Sequence, residues 1–369
     1  MSRKQDWTKY NFEYDRKLKI GFIGAGGHSF RNVYPTFQYA PVELAAICDV
    51  NADRAAAYAR QFGAAASYSD YREMLDKEKP DAVFIVTAYE PDGRVQATAI
   101  AREAMEAGAH VWMEKPTASS TGEVKELIET SRRTGRYVMT GMKKIFFPTI
   151  EKANEIIHSV DFGAPASFSL RYPMAMPALE DRADLRKTED LLDHIFHPAS
   201  ILNYLFGEIE HFSYEWEPAN GGSVAILKFR SGIVGTVHLT AGIAGSSPLE
   251  RLEVVGDGCN VIVENGVKMT YYRRADRPTY GRASSFIVPD EVAPLYWEPE
   301  FSLGQLMNKN IFYLGYVQEV LHFCESILEG RAPVKGTLEA SMEILKLFEA
   351  FCRHPSGQKI SLHSNSHDK

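Results

Sequence analysis

Cysteine is scarce in this chain. The four in 369 residues, Cys48, Cys259, Cys324 and Cys352, are scattered without a CxxC pair. Cys48 and Cys324 lie inside apolar runs, so the set reads as reduced, mostly packed thiols and excludes a disulfide framework. The histidines show no metal-ligand spacing, and no metal is expected. No apolar stretch approaches the roughly 20 residues needed to cross a membrane. A formal net charge of −7 leaves no basic surface for nucleic acid. The start, Met1 to Trp7, is polar, and no apolar core follows its charges, which reads as no secretory signal. What is present is ordinary for a globular protein: 45% hydrophobic and 24% charged residues, in a length that suits two domains. The expectation is a cytoplasmic protein with a small-molecule partner.

Residues 1–17 are polar and aromatic without periodicity and are expected to form an N-terminal arm. From Leu18 strands and helices alternate. Strands are expected over 18–23, 43–48, 81–86, 109–113 and 136–140. Helices are expected near 31–39, 52–61, 94–107 and 121–133. Apolar strands alternating with helices predict a parallel sheet with right-handed crossovers, an α/β Rossmann domain over 18–145. Beyond about residue 145 the pattern changes. Helices at 148–158 and 191–205 precede period-two runs at 209–217, 222–230, 233–241, 250–256, 259–264 and 267–273. Turn signals such as Asn220-Gly221-Gly222 and Asn265-Gly266 separate several of them. This predicts an α+β second domain over 146–369 with an open antiparallel sheet. Residues 274–305 read as irregular, followed by helices at 311–329 and 337–353, a short strand and a polar tail.

Gly24-Ala25-Gly26-Gly27 follows the first strand directly. Glycines there let the chain turn tightly and bring backbone N–H groups close to a pyrophosphate, while a following helix adds its dipole. The fingerprint is imperfect, because Ser29 stands where a third glycine is usual. The second strand ends at Asp49, about 20 residues on, where a carboxylate bonds a ribose 2′-hydroxyl and repels a 2′-phosphate. NAD is therefore expected over NADP. The competing assignment for Asp49 is a helix cap, a job Asn51 could do equally well. About 90 residues after the turn comes Glu114-Lys115-Pro116, placing a lysine at a strand end, where α/β sites form.

These residues resemble a known family. The glycine turn, Cys48-Asp49, Ala107 to Val111 leading into Glu114-Lys115-Pro116, Gly141-Met142-Lys143-Lys144 before Pro148, Asp193-His194-Ile195-Phe196-His197 and Phe323 to Gly330 are similar to the glucose–fructose oxidoreductase/inositol dehydrogenase family. The resemblance runs over roughly 18–355. It implies a Rossmann domain followed by a domain whose open sheet makes oligomer contacts, hence a homodimer or homotetramer. It also implies hydride exchange between NAD(P) and a hydroxyl carbon of a sugar or cyclic polyol. Position by position, it makes Lys115, Asp193 and His197 the active-site residues. Gly24, Gly26, Gly27, His28, Asp49, Thr87, Glu114 and Lys115 fall at the cofactor, and Lys115, Tyr172, Asp193 and His197 at the substrate. The turn after Lys115 is expected to contain a cis Lys115–Pro116 bond. The chain departs from the pattern at Ala97, where a histidine is common, and at Lys143, Ile195 and Ser200.

In that chemistry Lys115 would hydrogen-bond the reacting oxygen and His197 would accept its proton. Asp193 would orient His197 or hold a neighbouring hydroxyl. Asp193 and His197 are four residues apart and could share a helical face, although Pro198 could break the helix there. His194 should face elsewhere. Arg182, Asp184 and Arg186 could bind substrate hydroxyls or be ordinary surface. Two other functions fit the same residues: a non-catalytic nucleotide sensor or co-regulator, and a reductase acting on an imine or unsaturated substrate.

Overall fold

The computed structural model describes residues 8–274, 293–298 and 309–362. Most of the irregular stretch expected over 274–305, and the polar tail 364–369, lie outside the described residues. The described chain forms two compact units, 8–146 with 309–345, and 147–274 with 293–298 and 346–362.

Unit 1 is built on a six-stranded parallel sheet. Its strands are β1 (Leu18–Ile23), β2 (Val42–Cys48), β3 (Ala66–Tyr68), β4 (Ala82–Ile85), β5 (His110–Glu114) and β6 (Val138–Gly141), in the order β3-β2-β1-β4-β5-β6. The strand order reverses between β1 and β4, so the crevice for a ligand opens at the carboxyl ends of those two strands. Strands buried on both faces explain the unbroken apolar runs. Short β3 lacks such a run and was missed in the sequence, along with the helix after it.

The helices of this unit are α1 (Ala52–Phe62), α2 (Tyr71–Glu78), α3 (Gln96–Glu106) and α4 (Thr121–Thr134). Asn51, Asp70 and Ser120 cap α1, α2 and α4 by accepting backbone N–H bonds. The helix expected over 31–39 is instead a π turn (Ser29–Val33) running into a 3-10 turn (Tyr34–Gln38), with Pro35 inside the latter. Proline supplies no N–H to extend a helical ladder. The described part of the arm is pinned to the sheet, since the Asn11 amide donates to the carbonyls of Ala40 and Val42 at 2.7 Å each.

Residues 309–345, assigned in the sequence to the second domain, belong to unit 1. Hydrophobic packing accounts for the difference: the Phe323 ring meets Phe84 of β4 edge-on at 5.6 Å, and Phe84 in turn packs on Trp112 of β5. The helix expected over 311–329 is two helices, α7 (Lys309–Tyr313) and α8 (Tyr316–Leu328), in the full numbering with α5 and α6 of unit 2. Gly315 separates them at φ +73°, and a Cβ there would sit 2.4 Å from the Lys143 carbonyl oxygen. Only glycine fits that approach.

Unit 2 holds α5 (Pro148–Ile157), α6 (Leu185–Phe206) and a nine-stranded sheet. Its strands are β7 (Ser167–Tyr172), β8 (Ile209–Trp216), β9 (Ser223–Phe229), β10 (Val234–Leu239), β11 (Arg251–Val255), β12 (Asn260–Glu264), β13 (Lys268–Tyr272), β14 (Leu295–Trp297) and β15 (Ile360–Ser361). The order is β14-β13-β12-β11-β7-β10-β9-β8-β15. Every neighbouring pair is antiparallel except β7 with β10, which run parallel, so the sheet is mixed. Helix α6 covers one face, with Phe206 packed on Phe168 and Phe229. The other face is open and leaves Val224, Ile226 and Val234 exposed. Strict alternation of burial along β9 and β10 is the physical origin of the period-two pattern. Helix α9 (Leu338–Arg353) follows α8, and the division between the units falls inside it.

Candidate active site

In unit 1 the glycine turn leaves β1 and crosses the end of β4. Gly24 has φ +111°, and a Cβ on it would stand 1.8 Å from the Val86 carbonyl oxygen. Gly26 has nothing within 4 Å of that position, so its backbone is open to a close-lying ligand. Ser29, in place of the usual third glycine, is fully buried and donates its hydroxyl to the carbonyls of Gly24 and Gly26 at 3.1 and 2.9 Å. The departure from the fingerprint thus ties the turn down. This cradle fits a dinucleotide pyrophosphate on the observation of Gly26 alone.

Asp49, at the end of β2, accepts the Ala25 N–H at 2.8 Å, the Asn51 N–H at 2.9 Å and the Arg54 guanidinium at 2.7 Å. Burial opposes its charge, but the Arg54 hydrogen bond and the two backbone donors outweigh it and hold the carboxyl below the usual range. The cap of α1 is Asn51, so Asp49 does not serve as one. Arg54, half-exposed, sets a cation directly beside Asp49.

Thr87 stands just past β4, its Oγ1 buried without a hydrogen-bond partner. Glu114 ends β5, beside Gly141; a Cβ on Gly141 would lie 2.8 Å from the Glu114 Oε2. The Lys115–Pro116 bond is cis, as expected. Behind it, the hydroxyls of Thr117, Thr140 and Ser341 form a buried triangle with edges of 2.7, 2.7 and 3.2 Å. That triangle anchors the segment presenting Lys115.

A polar chain missed in the sequence runs from the residues after β6 to the glycine turn. The Lys143 Nζ donates to the Tyr316 hydroxyl at 2.9 Å and lies 4.8 Å from the centre of its ring. The same hydroxyl is 3.5 Å from the His28 Nε2, which lies 3.8 Å from the Glu114 Oε2. Beside this chain Glu319 is 0% exposed, with neither carboxyl oxygen hydrogen-bonded. Burial pushes its pKa well up, Glu114 adds to the rise, and Lys143 opposes it. Burial therefore favours the neutral form of Glu319. One signal could have found it: Glu319 sits on the apolar stripe of Tyr316, Val320 and Phe323.

In unit 2, α6 begins at Leu185, earlier than expected, and runs unbroken through Pro198. Asp184 is its N-cap and is paired with Arg186 at the surface. Arg182 is only 4% exposed. Its guanidinium donates to the Pro177 carbonyl, the Tyr214 hydroxyl and the Phe351 carbonyl at 2.8, 2.5 and 3.1 Å. It braces the unit.

Tyr172 and His197 do come together, with ring centres 6.3 Å apart. Burial raises the Tyr172 pKa, and the charges of Glu250, Asp193 and Asp190 add to it, so the phenol stays a neutral donor. His194 does not simply face elsewhere: its ring lies 6.4 Å from that of His197, and it pairs with Asp190 at 3.3 Å. Ile195 and Ser200 are buried, and Ser200 donates to the His197 carbonyl at 3.0 Å. Both side chains serve the packing of α6.

Comparison with known proteins agrees with this geometry. Residues 18–142 match the model of an oxidoreductase family with an NAD-binding Rossmann fold. D-xylose 1-dehydrogenase (NADP(+)) 2 of Haloferax volcanii is 30% identical over 174 residues, 47% of this chain and 51% of that protein. Myo-inositol 2-dehydrogenase of Thermotoga maritima is 25% identical over 262 residues, 67% of this chain and 75% of that one. The chain thus spans about half the length of several curated relatives, 51% and 45% for two of them. Levoglucosan dehydrogenase, solved in complex with NADH, superposes with a TM-score of 0.75 over 94% of this chain and 100% of that one, at 20% identity, a likeness of fold.

Proposed function

We propose that the chain, whose residues 18–142 match an oxidoreductase family with an NAD-binding Rossmann fold, is a member of the glucose–fructose oxidoreductase/inositol dehydrogenase family and moves a hydride between NAD and a hydroxyl carbon of a sugar, sugar derivative or cyclic polyol. The observation that carries the reading lies in unit 1. Lys115 directly follows the end of β5, in the sheet whose glycine turn, Asp49 and Thr87 suit a dinucleotide. Relatives whose names specify xylose and myo-inositol support the substrate class.

The nicotinamide supplies the hydride chemistry when bound. The protein orients the alcohol and manages charge. Lys115 hydrogen-bonds the reacting oxygen and stabilises the negative charge that grows there. His197 takes the hydroxyl proton during oxidation and returns it in the reverse direction. Asp193, one turn earlier on α6, favours the imidazolium so formed and holds a neighbouring hydroxyl. The neutral phenol of Tyr172 donates a further hydrogen bond to substrate.

Asp49 favours NAD by bonding the ribose diol, and its pairing with Arg54 makes this a preference and not an exclusion. The exposed valines and isoleucine of the nine-stranded sheet support association of two or four copies through that face. The free thiols, of which Cys48, Cys259 and Cys324 are buried, suit a reducing cytoplasm. Initial rates on a panel of sugars and polyols, followed by NAD(P)H absorbance, test the reading. Turnover is expected with NAD on at least one secondary alcohol, and a blank panel with intact nucleotide binding points to a sensor.

A further inference from the structure

We propose that dinucleotide binding to unit 1 is coupled to uptake of one proton from solvent, and that the proton settles on the imidazole of His28. This rests on the nucleotide reading of the glycine turn. His28 is the residue immediately after Gly27, and its side chain is 40% exposed, so it is open to a ligand in the cradle. A dinucleotide pyrophosphate brings two negative charges to that turn, and an opposite charge nearby favours the protonated form of a histidine.

The surroundings are arranged to accept that proton. In the neutral ring Nδ1, 3.4 Å from the Asn32 amide nitrogen, accepts a hydrogen bond from it. The Nε2 hydrogen then points towards the Tyr316 hydroxyl at 3.5 Å and the Glu114 Oε2 at 3.8 Å. Protonation adds a hydrogen at Nδ1. A half-turn of the Asn32 amide presents its oxygen to that hydrogen, a change that moves no backbone. The new positive charge lies between the Glu114 carboxylate on one side and the pyrophosphate on the other.

Other charged and titratable groups flank the ring. Arg31, whose Nε donates to the Gly27 carbonyl at 3.1 Å, is permanently charged. Lys143, bonded to the far side of the Tyr316 hydroxyl, opposes a charge on His28, and a bound pyrophosphate would offset that opposition. The buried phenol of Tyr316 holds its proton, and burial favours the neutral form of the Glu319 carboxyl.

Calorimetric titration of the full chain with NADH, repeated in buffers of different ionisation enthalpy between about pH 6 and pH 8.5, reads the proton count directly. The wild type is expected to take up a proton fraction that peaks within that window. NADH affinity should fall by up to about tenfold per pH unit above it, the limit for one proton. His28→Asn should still bind NADH, with no uptake and a flat pH dependence; His28→Gln is the second variant, should the first fail to fold. Glu319→Gln should keep the uptake. No uptake by the wild type, uptake surviving in His28→Asn and His28→Gln, or uptake lost in Glu319→Gln would each overturn the proposal. Failure of the wild type to bind NADH at all would sink the nucleotide reading itself, a separate result.

Discussion

At the scale of single residues, three side chains carry most of the account. Replacing Lys115 with Met keeps most of the volume and removes the charge. Turnover should fall about a thousandfold, as for loss of a donor to a developing oxyanion, while NADH binding by calorimetry and the melting temperature stay close to wild type. Near-normal turnover would remove Lys115 from the chemistry. Asp49→Ala should lower kcat/KM with NAD by about ten- to hundredfold, the worth of a hydrogen bond to a charged group, and narrow the gap to NADP. Equal efficiency of the two cofactors in the wild type would defeat that assignment.

Glu319 makes a prediction about stability. Its folded pKa is raised well above the ordinary 4.5, by burial first and Glu114 second. Below about pH 4.5 the folded and unfolded chains both hold the proton, and Glu319 adds no pH dependence. As pH rises, the unfolded chain ionises first, so the folded state loses ground until its own raised pKa is passed. Glu319→Gln removes this loss. Its urea midpoint should gain on the wild type as pH rises above about 4.5. A gap that is constant or shrinks with pH would mean that the carboxyl is ionised in the folded protein.

Elements were legible in the sequence where burial imposed a period. β1, β2, β4, β5 and β6 read as apolar runs because both their faces are covered, and β8 to β13 read as alternations because one face is open. What was missed lacked that signal. β3 is three residues long, and the parallel pairing of β7 with β10 depends on contacts distant in sequence. The proline at 198 suggested a break in α6, yet the helix is continuous, its buried residues Leu191, Leu192, Ile195 and Leu202 outweighing one lost hydrogen bond. Gly315 was overlooked inside an apolar pattern, although it ends α7. Gly315→Ala should destabilise the chain by at least about 1–3 kcal/mol, because a left-handed backbone and a clash with the Lys143 carbonyl combine. A melting temperature unchanged from wild type would show that the backbone there relaxes freely.

For the molecule as a whole, the two kinds of sheet were readable from the change of pattern near residue 145. The return of residues 309–345 to unit 1 was not, because only the packing of Phe323 on Phe84 reveals it. The candidate site divides the same way. Gly24, Asp49 and Lys115 announce themselves by their places at strand ends, whereas Tyr316 and Glu319 matter only through neighbours that the fold brings to them. The most direct test of the central claim is hydride transfer itself. Polyols and sugars deuterated at their secondary carbons are incubated with NAD and the purified chain, and the nicotinamide is analysed by mass spectrometry. Deuterium should appear in NADH with wild-type protein and be nearly absent with Lys115→Met. NADH without deuterium from any labelled carbon, or no NADH despite saturating nucleotide, would contradict the account.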